Sequence, residues 1–173
     1  MRIVLRQPVG ALPLDLSRAQ FKRTITSDYG WRFHPIYIIP RKHRGVDLGR
    51  PRGTPVLSAK AGTVSIGRHK EMGNYVLVKD AKGYTAQNFH LDSVAVSQGQ
   101  RVAEGTLLGY VGKTGAATGP HLHYGAKRPD GSYMDPMVYL GQRLPGAVKL
   151  LAATALLGGF WYVMQQKRLE IAW

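Results

Sequence analysis

Residues 76–89 read "VLVKDAKGYTAQNF". Apolar and β-branched residues flank Asp80-Ala81-Lys82-Gly83, a run of turn formers that ends in glycine. Strand, tight turn, strand is the reading, a β-hairpin. Comparable short segments lie on both sides: "TVSIG" at 63–67, "TLLGYVG" at 106–112 and "HLHYGAK" at 121–127. In each, apolar residues alternate with polar ones, and Gly, Asp or Lys-Gly turns bound the run. No stretch between 24 and 140 carries a convincing helical period. The expected fold is all-β over 24–140, a compact antiparallel sheet or sandwich.

The flanks read differently. Residues 1–23 are expected to form an irregular N-terminal arm, because Arg6, Pro8 and Pro13 interrupt its apolar run and leave no signal-peptide core. At the other end, "LLAATALLGGFWYVM" (150–164) has no charge. Counted from Leu144, the apolar segment is about 20 residues, enough to cross a hydrocarbon core of about 30 Å. Trp161 and Tyr162 lie near one end, Lys167 and Arg168 follow, and Lys149 can snorkel. A transmembrane helix over 144–165 is expected, with a short basic-aromatic tail over 166–173. The competing reading is a helix packed on the β domain.

Composition narrows the chemistry. The 173 residues are 44% hydrophobic and 20% charged, which suits a folded domain. Without cysteine there is no disulfide and no thiolate metal site, so a metal must sit on His, Asp or Glu. The formal charge of +14 attracts polyanions: nucleic acid, anionic lipid or an anionic cell wall.

Six histidines remain to be placed. In "KHRGVDLG" (42–49), His43 precedes Asp47 by four residues, a spacing that puts both on one face. Gly45, Val46 and the following Gly49-Arg50-Pro51 favour an extended backbone there. In "GPHLHYG" (119–125), His121 and His123 share one face of a strand about 7 Å apart, with Leu122 pointing into the core. Two neutral imidazoles and a carboxylate are donors that zinc accepts, and three protein ligands leave its fourth position open for catalysis. Three histidines and Asp47 are more than three ligand positions need, which leaves one histidine for proton transfer or oxyanion stabilisation.

With these motifs in order the chain resembles the lysostaphin/LytM-type zinc endopeptidases, which cut peptides of bacterial peptidoglycan. The resemblance runs through "SDYGWRFHP", "HRGVDLGRPRGTPVLSAKAGTV", "GNYVLVKDAKGY", "NFHL", "VAEGTLLGYVGKTGAATGPHLHYG" and "DPMVYL". It implies zinc ligands at His43, Asp47 and His123, and catalytic roles for His121 and for His90 in "NFHL". It implies peptidoglycan as substrate and zinc as the cofactor. Phe89 departs from the family pattern, where Ala usually precedes the histidine, and Tyr124 stands where Phe is common. His34 recurs beside such sites, Arg32 reads as structural, and His69 reads as a solvated surface residue. Tyr29, Tyr75 and Tyr84 read as strand residues.

Two other classes stay open. A non-catalytic wall-binding or hydrolase-activating module of the same fold usually lacks metal ligands, and this chain keeps the set. A basic nucleic-acid-binding β domain would explain the charge but not the histidines, and neighbouring stacking aromatics are missing; no specific nucleic acid is expected. The expected place is membrane-associated, in a phage virion or the host cell envelope, with virion structural proteins as further partners.

Overall fold

The computed structural model describes residues 13–14, 18–33 and 39–141. The chain divides into two units, Met1–Gly141 and Gln142–Trp173, and all described residues belong to the first. The expected membrane segment, 144–165, and His34 lie outside the described residues. Among the described residues no helix is long and apolar enough to cross a membrane.

Twelve strands and two short helices make up the described residues. In chain order they are α1 (Arg18–Arg23), β1 (Ile25–Ser27), β2 (Gly30–Phe33), β3 (Pro40–His43), β4 (Gly45–Gly49), β5 (Pro55–Leu57) and β6 (Gly62–His69). Then follow β7 (Gly73–Lys79), β8 (Thr85–Val94), β9 (Arg101–Val102), β10 (Leu107–Val111), β11 (His121–Lys127), β12 (Tyr133–Met134) and α2 (Pro136–Tyr139). Ten strands join one antiparallel sheet whose main path runs β1-β4-β11-β8-β7-β6-β9; β10 bridges β8 and β5, and β12 pairs with β11. β2 and β3 form a separate two-stranded sheet. The all-β expectation holds.

The segment 76–89 forms the hairpin β7–β8. Asp80 caps its turn: its Oδ1 accepts from the backbone N–H groups of Lys82 and Tyr84, at 2.9 and 3.0 Å. Gly83 donates to the Asp80 carbonyl with φ at +84°, where a side chain would be strained. Alternation then sorts the faces. In β11, Leu122, Tyr124 and Ala126 are fully buried while His121 and His123 stay partly open. Val46 and Leu48 of β4 and Val76 and Val78 of β7 meet them in one core.

Two expectations need correction. The arm is not irregular throughout: 18–23 is helical, and Leu14 and Phe21 are buried in the core. Leu57 donates its N–H to the Pro13 carbonyl at 2.9 Å, and Thr24 caps the helix end through Phe21. A six-residue helix anchored by one aromatic ring has no period to read. The second is α2, inside the region expected to be free of helix. Asp135 accepts from Met137 N–H at 2.8 Å, and Pro136 occupies the first turn. Asp-Pro there was a legible helix-start signal.

Candidate metal centre

The central strands β4 and β11 pair antiparallel in unbroken register, with His123 opposite Asp47 and Leu122 opposite Leu48. That register alone brings His123 and Asp47 to the same face. His43 ends β3 and turns inward, 8% exposed. The three side chains converge. His43 Nε2 lies 3.1 Å from His123 Nδ1 and 3.2 Å from Asp47 Oδ1, and His123 Nδ1 lies 2.8 Å from Asp47 Oδ1. A tetrahedral zinc with bonds of about 2.0–2.1 Å sets its ligands about 3.3 Å apart. The donor triangle fits such an ion, and the three residues form a group able to hold a metal.

Each donor is held from behind. His43 Nδ1 lies 2.8 Å from the Asp28 carbonyl, so it carries the proton and Nε2 faces the centre. Asp47 Oδ2 accepts from Arg32 Nη2 at 3.3 Å. The His123 ring stacks on Phe89 at a centroid distance of 5.2 Å and an interplanar angle of 7°. The ring also runs close to Gly45, where a Cβ would stand 2.7 Å from His123 Cε1. Glycine in "HRGVD" therefore makes room for the ring.

Electrostatics favour a ligand set. Burial opposes ionisation of Asp47, but hydrogen bonds to His123 and His43 outweigh it and hold the carboxyl far below the usual carboxylate range. Burial depresses His123, keeping it a neutral imidazole with a lone pair to give.

His90 and His121 stand beside this group, with ring centroids 4.7 Å apart. His121 is placed by ordinary alternation on β11. Its Nδ1 faces the Gly119 carbonyl at 2.9 Å, and its Nε2 is 3.7 Å from Asp47 Oδ1. His90 arrives by another route. Pairing of β7 with β8 shifts between Asn74↔Leu91 and Val76↔Asn88, so Tyr75 faces both Phe89 and His90. This is a β-bulge. His90 sits in it with φ at +64°, the sole non-glycine with positive φ among the described residues. The bulge lets two consecutive residues reach the site, Phe89 against His123 and His90 against His121. A regular strand would send them to opposite faces.

Neighbouring loops hold the bulge. His90 N–H donates to the Met72 carbonyl at 2.8 Å, and His90 Nδ1 faces the Thr114 carbonyl at 2.8 Å. Thr114 Oγ1 donates to the Leu91 carbonyl and accepts from Asn74 N–H. Gly73, with φ at +65°, packs against Thr114 where a Cβ would collide. Burial pushes the His90 imidazole down to about 4, against the pull of the Thr114 carbonyl.

The structure thus brings together all five expected site residues. It also adds Phe89, which stacks on His123, and Arg32, which meets Asp47. His69 is exposed, as expected, and accepts from Glu71 N–H. Tyr29 packs on the core edge and Tyr75 against Phe89; Tyr84 lies beside Tyr139 rather than at the site.

Comparison with known proteins agrees. The model of peptidase family M23 matches residues 41–136. The DD-carboxypeptidase/endopeptidase Mpg of Neisseria meningitidis is 40% identical over 114 residues, which is 65% of this chain and 26% of that protein. This chain spans about a quarter of the length of the curated relatives it matches. Among solved structures, a zinc-containing peptidase from Vibrio cholerae superposes with a TM-score of 0.62 at 32% identity, covering 70% of this chain and 36% of that one. The catalytic domain of lysostaphin from Staphylococcus simulans gives 0.62 at 29% identity, covering 72% of this chain and 97% of that domain.

Proposed function

The chain belongs to peptidase family M23, and from that premise we propose that it is a zinc-dependent endopeptidase cutting peptide bonds in bacterial peptidoglycan. The observation that carries this reading is the convergence of His43, Asp47 and His123, with His90 and His121 on the same side. The names of Mpg and of the Vibrio peptidase support the reaction and the metal.

The residues divide the work. His43 Nε2, Asp47 Oδ1 and His123 Nδ1 are the proposed ligands. A zinc ion there supplies Lewis acidity, polarising the scissile carbonyl and making water nucleophilic at neutral pH. The protons on Nδ1 of His90 and His121 are tied to the carbonyls of Thr114 and Gly119. Both rings therefore turn Nε2 to the reacting groups. One accepts the proton of the attacking water, and the pair returns a proton to the leaving amine. In its charged form either ring steadies the oxyanion. Phe89 holds the His123 plane and Arg32 holds Asp47.

The setting belongs to the same proposal. We place the enzyme at the cell envelope, anchored through 144–165, with a phage virion as its carrier. Support comes from the uncharged run 150–164 and from the +14 charge, which suits carboxylate- and phosphate-bearing wall polymers.

Digestion of purified peptidoglycan by the zinc-loaded full chain, with the released amines and muropeptides identified, tests the activity. Zinc-loaded protein that releases no new amine overturns it. Flotation with liposomes tests the anchor: binding that resists high salt is expected, and release by salt alone overturns it. Copurification with virion structural proteins tests the carrier.

A further inference from the structure

Arg32 is placed to do more than hold Asp47. It lies on β2, outside the main sheet, and its side chain is 34% exposed. One arm, Nη2, meets the outer oxygen of Asp47. Among the described residues no hydrogen bond or ion pair engages its other guanidinium nitrogens, and a single ion pair could have been made by lysine. Arginine adds a planar fork that matches a carboxylate. That fork borders a cleft of about 260 Å³, lined also by Asp47, His121, Ser27 and Thr118. Among the described residues Arg32 is the only full cation on its walls, and Asp47 is already engaged by histidines and Arg32 itself. The cleft opens beside His121, so whatever fills it adjoins the bond being cut.

We infer that Arg32 and the cleft form a carboxylate-binding subsite, which takes a free carboxylate on the substrate residue next to the scissile amide. The Ser27 and Thr118 hydroxyls supply further donors. This rests on the hydrolase reading above and names the substrate class of that site. A cross-link in which the residue beside the cut amide bears its own carboxylate is preferred over an all-glycine bridge, whose internal residues carry none.

The probes are diacetyl-L-lysyl-D-alanyl-D-alanine and its C-terminal carboxamide, which differ only in that charge. Affinity for the zinc-loaded full chain is measured by calorimetry in a His90→Ala background, which keeps the cleft but slows turnover. Cleavage rates of both probes are measured on the parental chain. The carboxylate peptide is expected to bind about 10–100-fold more tightly, the range of a hydrogen bond to a charged group. In Arg32→Gln the ratio falls to within about 2-fold, and Arg32→Lys restores part of it. If Arg32 merely positions Asp47, the variant weakens both peptides alike and the ratio survives, which overturns the subsite. A parental ratio near one, or no binding of either peptide, overturns it without recourse to any variant. If the carboxylate preference is present but the parental chain cuts neither probe nor peptidoglycan, the subsite stands and the hydrolase reading fails.

Discussion

The two halves of the site are built by opposite means. The ligand half rests on β4 and β11, paired without a break, so Asp47, His121 and His123 fall on one face by alternation alone. The His90 half rests on a register shift in β8 and a residue at positive φ. Regular pairing places a ligand cheaply and tolerates little ambiguity, because a one-residue slip would turn every side chain over. A bulge re-aims one side chain, at the expense of local strain that neighbouring loops must hold. Here Met72, Thr114 and Gly73 do the holding.

The largest expected effect falls on the regular half. Asp47→Ala or His123→Ala should abolish both zinc binding and hydrolysis, since two remaining protein ligands bind the ion far more weakly. Metal analysis of the purified variants checks this, and undiminished zinc in both breaks the ligand assignment.

Next comes the strained half. His90→Ala and His121→Ala should keep the metal and lose about 10²–10⁴-fold in rate, the contribution of general acid–base groups. Zinc content beside the rate of peptidoglycan digestion separates the two halves. Loss of zinc in His90→Ala would show that the bulge supports the ligands as well.

A smaller effect is expected at Gly45→Ala. The added Cβ would press on the His123 ring, so zinc affinity should fall about 10–100-fold, the scale of changes to groups that orient ligands. Competition with a chelator measures it. An unchanged affinity would mean that the ring shifts without leaving the centre.

The smallest is a matter of pH. In the metal-free chain His90 should titrate near 4 rather than at the ordinary 6.5. The folded state then resists a proton that the unfolded state accepts. Stability is full above 6.5 and falls as pH drops from 6.5 towards 4. Imidazole chemical shifts followed against pH give the midpoint, and a value near 6.5 would show that the ring is more hydrated than its burial implies.

Much of this protein was readable from residues alone. Alternation and turn chemistry determine the all-β class and the β7–β8 hairpin, because a period of two and an Asp-to-Gly turn are local properties. The same period put His121 and His123 on one face with Leu122 beneath. The family resemblance singled out His43, Asp47, His90, His121 and His123. What tertiary structure alone decided depends on partners distant in the chain. Phe89 meets His123 through the register of β8 with β11, and His90 joins it only because Tyr75 on the neighbouring strand faces two residues at once. Arg32 meets Asp47 only because β2, in a separate ribbon with β3, brings it to a residue fifteen positions on, and Phe21 joins the core only because the sheet leaves it a place. A bulge is one unmatched residue between two strands, so neither strand's sequence contains it, and the pairing between them does.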